Sequence, residues 1–365
     1  MFIRNIFLII IDISYHLLIK QILFIFNPES SHKFIGKFLK KSFLPWRYIG
    51  NVLNVEDGNL FTPYFGYYIA NPIGLAAGFD KDCEYLKAIS NFGFGYITIG
   101  TVTVQKQYGN QPPRLSRLRN DSALLNSLGF PSIGMHEFLK NVQQATEYSK
   151  TTFLTISITG KSIEQMVESY KFLYEHCDAI EINISSPNTE QLKIFHDDKN
   201  LLNLLKEINK YKNSPIIVKL PPYATSNINE KSELLETKDN VMRLIDASLK
   251  SEVDGFTISN SRPIITNKLA SKKGGLSGKL LYESTAEMVE DIRPVIGNRT
   301  VINACGGIST GSQAWNLIKL GATTVQLYTS LIYSGITLPN KMNKFISKKL
   351  QSENQNNLIE FINHD

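Results

Sequence analysis

The sequence lacks the features that mark several common protein classes. It has only three cysteines, Cys83, Cys177 and Cys305, which lie far apart without a CxxC pair, so we expect neither a disulfide framework nor a metal site. It contains no internal repeat and no long basic run. The lysines behind its net charge of +6 are scattered, so we expect no nucleic-acid partner. What remains is a globular composition, with 42% hydrophobic and 20% charged residues among 365.

Long apolar runs are absent except near the amino terminus. Residues 6–26 are mostly apolar, and as a helix they would reach about 31 Å, long enough to span a bilayer. Asp12 and Lys20 interrupt this stretch, and each charge at the bilayer centre would cost about 2.5 to 3.5 kcal/mol. A helix that lies in the membrane interface therefore competes with a helix that spans the membrane.

A second amphipathic helix is predicted over about residues 28–41, with phenylalanines on one side and lysines around the rest. Two such segments in succession favour contact with a membrane surface. Pro45 and Trp46 mark the end of this region. We therefore divide the chain into a helical membrane segment, 1–46, a main domain, 47–350, and a polar carboxyl-terminal tail, 351–365.

From about residue 71 the chain alternates short apolar runs, small-residue loops and longer helical patterns. This alternation predicts an α/β fold, the (β/α)8 TIM barrel, in which eight parallel strands close inside a ring of helices. A doubly wound open sheet is the alternative, but no GxGxxG motif opens a helix after the first strand. The candidate strands cover residues 73–77, 96–100, 153–158, 179–184, 215–220, 255–259, 300–304 and 323–328.

The end of the fourth candidate strand carries the most informative motif, NISSPNT at residues 183–189. Pro187 should end the strand and leave Asn183, Ser186 and Asn188 facing a common mouth. A hydroxyl between two amides suits proton abstraction from a small polar ring. Taken alone, the motif is equally compatible with an ordinary turn.

Other candidate strands end in cationic or glycine-rich segments. Lys81 follows the first strand, and Lys219 lies among apolar residues of the fifth, where it needs an anionic partner or a route to solvent. Gly306 and Gly307 follow the seventh strand, where this fold commonly binds phosphate through backbone N–H groups. Thr329 could add a donor. A phosphorylated cofactor fits these features better than free phosphate does.

Together these segments resemble dihydroorotate dehydrogenase, specifically its membrane-associated, quinone-reducing class. The resemblance runs from about Asn27 to Gly335. The soluble class has a cysteine at the position that matches Ser186 and lacks the amino-terminal helices. The motifs that carry the resemblance are NPESSH (27–32), NPIGLAAGFDKD (71–82), FGYITIGTVT (94–103), PPRLSRL (112–118), NSLGF (126–130), NISSPNT (183–189), GGLSGK (274–279), CGGIST (305–310) and VQLYTSL (325–331).

The resemblance implies a specific reaction. One flavin mononucleotide (FMN) per chain would accept hydride from C6 of dihydroorotate while Ser186 removes the C5 proton, and a membrane quinone would take the electrons. This is the redox step of pyrimidine biosynthesis that forms orotate. A serine hydroxyl is a poor base, and the family shapes a proton relay with residues that match Thr189 and Phe130.

The resemblance also assigns three sets of binding residues. The substrate would be held by Lys81, Asn126, Ser127, Leu128, Gly129, Phe130, Asn183, Asn188, Asn260 and Ser261. The flavin would be held by Ala77, Gly78, Lys81, Thr101, Ser157, Asn183, Lys219, Ser259, Gly278, Gly307, Tyr328 and Thr329. A quinone tunnel would be lined by His32, Arg117 and Tyr328.

The chain departs from the family pattern at several places near the site, and two of them concern the flavin and the substrate. Ser157 stands where the family has an asparagine that contacts the flavin, and the segment 190–193 reads EQLK where a proline, glycine, leucine and arginine are usual. One flavin hydrogen bond and the closure over the substrate are thereby in question.

Two alternatives remain open at the level of sequence. The first is a different FMN-dependent barrel oxidoreductase that acts on a pyrimidine-like substrate, and the second is a non-catalytic barrel that serves as a scaffold. We expect a monomer bound peripherally to the cytoplasmic face of a bacterial inner membrane, with a mitochondrial inner membrane as the alternative location.

Overall fold

A computed structural model describes residues 2–41, 45–146, 152–185, 190–226 and 235–363. The chain begins with helices that precede the barrel. The first two are joined end to end by one π-helical turn, Tyr15–Ile19, and Asn27 caps the third through a 2.8 Å bond from the N–H of Ser30. Both predicted amino-terminal helices are thus present. The helices are α1 (Phe2–Ser14), α2 (Lys20–Ile25), α3 (Pro28–Leu39) and α4 (Trp46–Leu53).

A short hairpin then closes one end of the barrel. Strands β1 (Thr62–Tyr64) and β2 (Tyr67–Ile69) pair antiparallel. The ring of Tyr64 lies 4.7 Å from that of Tyr96 and 4.9 Å from that of Phe153, measured between centroids. Since Tyr96 and Phe153 begin barrel strands, this aromatic cluster plugs the end opposite to the predicted site.

Eight parallel strands form the closed barrel, and the predicted fold class is confirmed. Each strand pairs with the next barrel strand along the chain, and the last pairs with the first. All eight predicted strands are present, most of them within two residues of their expected ends. They are β3 (Ile73–Leu75), β4 (Tyr96–Val102), β7 (Phe153–Ile158), β8 (Ala179–Asn183), β9 (Ile216–Lys219), β10 (Gly255–Ile258), β13 (Val301–Cys305) and β14 (Thr324–Leu327).

Helices surround the barrel because each carries one apolar stripe. In α8 (Asp198–Asn209), for example, four residues are buried at helical spacing and Asp197 caps the first turn. The buried residues are Leu201, Leu204, Leu205 and Ile208. The helices that follow the hairpin are α5 (Leu86–Ile89), α6 (Met135–Thr146), α7 (Ile163–Leu173), α8 (Asp198–Asn209), α9 (Lys238–Leu249), α10 (Tyr282–Ile296), α11 (Gly311–Lys319), α12 (Thr329–Ser334), α13 (Leu338–Ser352) and α14 (Leu358–Asn363).

A four-stranded antiparallel sheet lies beside the carboxyl ends of the barrel strands, and the sequence did not predict it. Its strands are β5 (Leu115–Leu118), β6 (Ala123–Asn126), β11 (Arg262–Ile265) and β12 (Lys273–Gly278). Their order in the sheet is β11, β12, β6, β5. Most of the GGLSGK motif lies within β12, where Gly274 and Gly275 permit the close approach of neighbouring segments.

The predicted polar tail is partly packed on the barrel. Within it, α14 buries Leu358 completely, and the ring of Phe361 lies 4.9 Å from the ring of Trp315. Residues 358–362 therefore contribute to the core, while the division at residue 351 stays a prediction.

We predict that Gly95→Ala destabilises the barrel. A Cβ at Gly95 would lie 1.9 Å from the backbone oxygen of Asn71. Gly95 immediately precedes β4, and Asn71 lies two residues before β3. Neither residue can therefore move without shifting a barrel strand. The free energy of unfolding in urea should fall by about 1 to 3 kcal/mol or more. Gly58→Ala is the matched control, since its Cβ would meet no atom closer than 3.8 Å. Equal stability of the two variants would contradict the argument.

Candidate active site

One cavity of about 940 Å³ lies at the carboxyl ends of the barrel strands and continues beneath the amino-terminal helices. Its inner end is lined by polar side chains from the strand ends, and its outer arm by apolar side chains from α1, α2 and α3. This arrangement follows from the parallel barrel, since the carboxyl ends of all eight strands meet at one rim.

Amide and hydroxyl groups from the ends of several barrel strands form a connected network at the inner end. The amide nitrogen of Asn183 donates to Thr101 Oγ1 at 3.0 Å, and that of Asn260 donates to Ser185 Oγ at 3.0 Å. The backbone oxygen of Asn183 accepts from Thr159 Oγ1 at 3.0 Å. These contacts fix the amides at the cavity wall, so that they can read a ligand with ring N–H and C=O groups.

Lys219 is a buried cation at the floor of the cavity. Its side chain is 5% exposed, and within the residues that the structure describes it makes no hydrogen bond or ion pair. Burial alone would lower the pKa of Lys219, but the carboxylate of Glu181 acts against it and the pKa is raised above its usual value. Glu181 lies in the barrel interior, where it accepts from Thr257 Oγ1 at 2.8 Å. A charged ammonium therefore faces the cavity.

Lys81 provides a second cation at the mouth. Its loop is held by the buried Asp80, whose carboxylate accepts from the backbone N–H groups of Glu84 and Tyr85 at 2.8 Å each. Burial lowers the pKa of Lys81 to about 8. An anionic ligand beside it would stabilise the charged form, which is the form that pairs with a carboxylate.

A glycine-rich corner follows β13. Gly306 and Gly307 have φ angles of +144° and +75°, and a Cβ at Gly307 would lie 2.2 Å from the backbone nitrogen of Tyr282. In the described part of the chain no backbone oxygen accepts from the N–H of either glycine. The helix that follows, α11, begins at Gly311 and is capped by the side chain of Thr310. This corner can bind an anion through unpaired backbone donors.

The outer arm is apolar apart from a few residues. Arg117 donates to the backbone oxygen of Phe26 at 2.7 Å and lies 4.5 Å above the ring of Phe24. His32 opens onto the cavity, where its ring packs edge-on against those of Phe79 and Tyr85, and loss of solvation lowers the pKa of His32. Burial raises the pKa of Tyr328 to about 12. All three predicted tunnel residues line the cavity. These pKa shifts favour the neutral forms of His32 and Tyr328.

Contacts with the barrel hold α1 along the open side of this arm. Asp12 accepts from Thr337 Oγ1 at 2.7 Å and forms an ion pair with Lys341. The hydroxyl of Tyr15 donates to the backbone oxygen of Ile332 at 2.7 Å. The stretch Ile3–Ile25 is long and apolar enough to cross a membrane, yet here it is docked on the barrel and forms one wall of the cavity.

The cavity brings together most of the predicted site residues. Ser127 and Ser157 do not line the cavity. The hydroxyl of Ser127 forms a 2.6 Å hydrogen bond with Ser271 Oγ, and that of Ser157 forms a 3.0 Å hydrogen bond with Thr101 Oγ1. Three further predicted site residues lie outside the described residues: Ser186, Asn188 and Thr189. The predicted residues that line the cavity are His32, Ala77, Gly78, Lys81, Thr101, Arg117, Asn126, Leu128, Gly129, Phe130, Asn183, Lys219, Ser259, Asn260, Ser261, Gly278, Gly307, Tyr328 and Thr329.

Other lining residues were not singled out from the sequence. Ser277 and Lys279 flank Gly278, so the GGLSGK motif could have indicated them. Gln326 lies within β14, and its Oε1 atom is buried without a donor among the described residues. Its position two residues before Tyr328 was the available signal, since alternate residues of a strand face the same side. Tyr15 and Ile22 carry no motif and could not have been found.

Comparisons with known proteins agree with this geometry. The family model described as dihydroorotate dehydrogenase matches residues 59–350. A protein of Christiangramia forsetii named dihydroorotate dehydrogenase (quinone) is 32% identical over 354 residues, covering 92% of this chain and 99% of its own. A protein of the same name from Bordetella avium is 34% identical over 304 residues, covering 78% and 83%.

Solved structures extend the similarity to three dimensions. The chain is similar to the crystal structure of DHODH in complex with ferulenol from Eimeria tenella, with a TM-score of 0.81 and 26% sequence identity. The match covers 92% of this chain and 95% of the other. The likeness therefore extends over most of the chain.

We predict that Asp12→Ala loosens the first helix. The variant loses the bond from Thr337 and the ion pair with Lys341, together worth about 1 to 2 kcal/mol for partly exposed groups. Hydrogen exchange of backbone amides in α1 should then speed up about five- to thirtyfold. Asn5→Ala is the control, because its 3.3 Å bond with Lys344 is exposed. The same exchange rates in the Asp12 variant and the wild type would show that α1 is held by other contacts.

Proposed function

The chain belongs to the dihydroorotate dehydrogenase family, and we propose that it oxidises dihydroorotate to orotate in pyrimidine biosynthesis, with bound FMN as hydride acceptor and a membrane quinone as the final electron acceptor. The observation that carries the proposal is the continuity of one cavity. Its inner end offers cations and amides to a polar anion, and its outer arm offers an apolar path to a lipid-dissolved molecule.

The residues at the glycine-rich corner fit the phosphate of FMN. The N–H groups of Gly306 and Gly307 would bind the phosphate oxygens, with Thr329 beside them. Lys219 would lie by the isoalloxazine ring, where its charge would stabilise the anionic reduced form. Bound FMN would supply the hydride acceptor and pass electrons onward, while the protein orients it and tunes its charge.

The substrate would bind between Lys81 and the amides. The ammonium of Lys81 would pair with the carboxylate of dihydroorotate, and this pairing would favour the charged lysine. Asn126, Asn183 and Asn260 would bond to the ring N–H and C=O groups. Because a polar ring without a carboxylate would leave Lys81 unpaired, the site should discriminate in favour of the acid.

Ser186 is the residue we propose as base. It follows β8 by three residues, and the chain up to Ser185 is held by the bonds of Asn183 and Asn260 described above. A serine hydroxyl needs an onward proton acceptor, and Thr189 and Phe130 would shape that path through water. Phe130 lines the cavity beside Gly129.

The apolar arm would admit the quinone between α1, α3 and the barrel. Side chains of α1 that do not line the cavity, such as Phe7, Ile9 and Ile10, are 52 to 56% exposed, and lysines flank α3. Such a surface suits peripheral binding to an anionic membrane. We propose a monomer on the cytoplasmic face of a bacterial inner membrane, with the mitochondrial inner membrane as the alternative.

We expect the purified protein to be yellow and its flavin absorbance to bleach when dihydroorotate is added without oxygen. A quinone should reoxidise the flavin and restore the colour, whereas fumarate and the oxidised nicotinamide cofactor should not. Anaerobic spectrophotometry measures both steps. A yellow protein that dihydroorotate leaves unchanged would be a different flavin-dependent oxidoreductase, and a colourless protein that takes up no added FMN would be a scaffold.

We predict that Ser186→Ala retains FMN but reduces the rate of bleaching by dihydroorotate about 10²- to 10⁴-fold, the usual contribution of a positioned base. Ser186→Cys should recover part of the rate, since the soluble class uses cysteine there. Ser352→Ala, at the exposed end of α13, is the control. Stopped-flow absorbance gives the rates, and a wild-type rate in the alanine variant would refute the assignment.

A further inference from the structure

His196 lies at the point where the chain returns from the active-site rim towards α8. It ends the 3₁₀-helical stretch Glu190–His196. Its Nδ1 atom is 2.7 Å from Glu236 Oε1, and its Nε2 atom is 2.9 Å from the backbone oxygen of Ile184. The side chains of His196 and Glu236 are 14% and 25% exposed. The reaction proposed above gives neither residue a role.

Both ring nitrogens of His196 face oxygen atoms that accept hydrogen bonds. A backbone carbonyl can only accept, so Nε2 must carry a proton. The hydrogen bond from His196 holds the pKa of Glu236 below its ordinary value, so this carboxylate is ionised. The ring of His196 thus bridges an ionised carboxylate and a backbone carbonyl, one at each nitrogen.

Glu236 is itself fixed to the barrel. Its second oxygen accepts from Asn240 Nδ2 at 2.8 Å, and the same amide reaches the backbone oxygen of His196 at 3.1 Å. The backbone of Glu236 forms a β-bridge with Tyr223, whose hydroxyl donates to Asp291 Oδ2 on α10 at 2.8 Å. His196 therefore binds to a support built from the end of β9, α9 and α10.

The other partner of His196 leads into the site. Ile184 follows Asn183, whose amide lines the cavity, and Ser186 comes two residues later. The ring of His196 thus connects two segments: Ile184, where the chain leaves β8, and the stretch Glu190–His196, which leads to α8. Residues 186–189 lie between them in sequence. The neighbouring charges are Lys193 on the same turn, Asp197 at the start of α8, and Arg243, which donates to Asn240 Oδ1 at 3.0 Å.

We propose that His196 and Glu236 are positioning residues for proton abstraction. They fix both ends of the segment that carries Ser186 and thereby hold Asn183 and the proposed base in register with the substrate. This inference rests on the proposed function. His196 and Glu236 do not line the cavity. They would act on the reduction of the flavin by dihydroorotate and not on its reoxidation by quinone.

Three variants test the proposal. His196→Ala removes both bonds, His196→Gln keeps a donor that can reach the oxygen of Ile184, and Glu236→Gln keeps the shape but not the charge. Stopped-flow absorbance of the FMN-loaded protein would give the limiting rate of reduction by dihydroorotate and the rate of reoxidation by a soluble quinone.

His196→Ala should lower the limiting rate of reduction at least tenfold, while reoxidation by quinone and FMN content stay within twofold of wild type. His196→Gln should recover most of the lost rate, and Glu236→Gln should fall between them. A wild-type reduction rate in His196→Ala, or an equal loss in both half-reactions, would overturn the proposal, since a general loss of structure slows both.

A second measurement separates this proposal from the function on which it rests. Hydrogen exchange of backbone amides in residues 182–185 and 190–196 needs no substrate, and it should speed up in His196→Ala but not in His196→Gln. If the wild-type flavin is not reduced by dihydroorotate, the proposed function fails whatever the exchange result. If exchange is unchanged in His196→Ala, the positioning role fails even in an active enzyme.

Discussion

The pairing of β14 with β3 is the contact on which the site depends. It closes the barrel by joining segments about 250 residues apart, with the N–H of Ala76 donating to the oxygen of Leu327 at 3.0 Å. Closure places Gly78 within reach of Tyr328, where a Cβ on the glycine would lie 3.5 Å from the tyrosine ring. Without this contact the strand ends would not converge, and the cations and amides would have no common cavity.

The fold was predictable because buried parallel strands have a strong local signal. Each is a short apolar run bounded by small residues, and eight of them in alternation with amphipathic helices admit few arrangements. The antiparallel sheet was missed for the opposite reason. Its strand β12 is rich in glycine, and its partner β6 lies about 150 residues away, so nothing local marks either as a strand. Sheet pairing there is decided by tertiary contacts rather than by propensity.

The site was predictable where a motif coincides with a strand end, and less so elsewhere. Lys219 and Gly307 follow directly from their positions on the barrel. Ser157 is an example of a residue whose position was predicted but whose orientation was not. It lies on β7 as expected, but its hydroxyl bonds to Thr101 instead of lining the cavity. The sequence also could not show that Glu181 raises the pKa of Lys219. The alternation of residues in a strand predicts which side chains face inward, but not which charges come together there.

The ion pair between Asp12 and Lys341 has a consequence for how the protein is made. At about 5 to 20 residues per second, the ribosome needs on the order of half a minute to add the 300 or more residues that separate the two partners. Throughout that interval the isoleucine-rich first helix lacks the contacts that hold it on the barrel. Translation close to a membrane would give this helix an apolar partner from the start, and its exposed side chains could keep that partner after α1 docks.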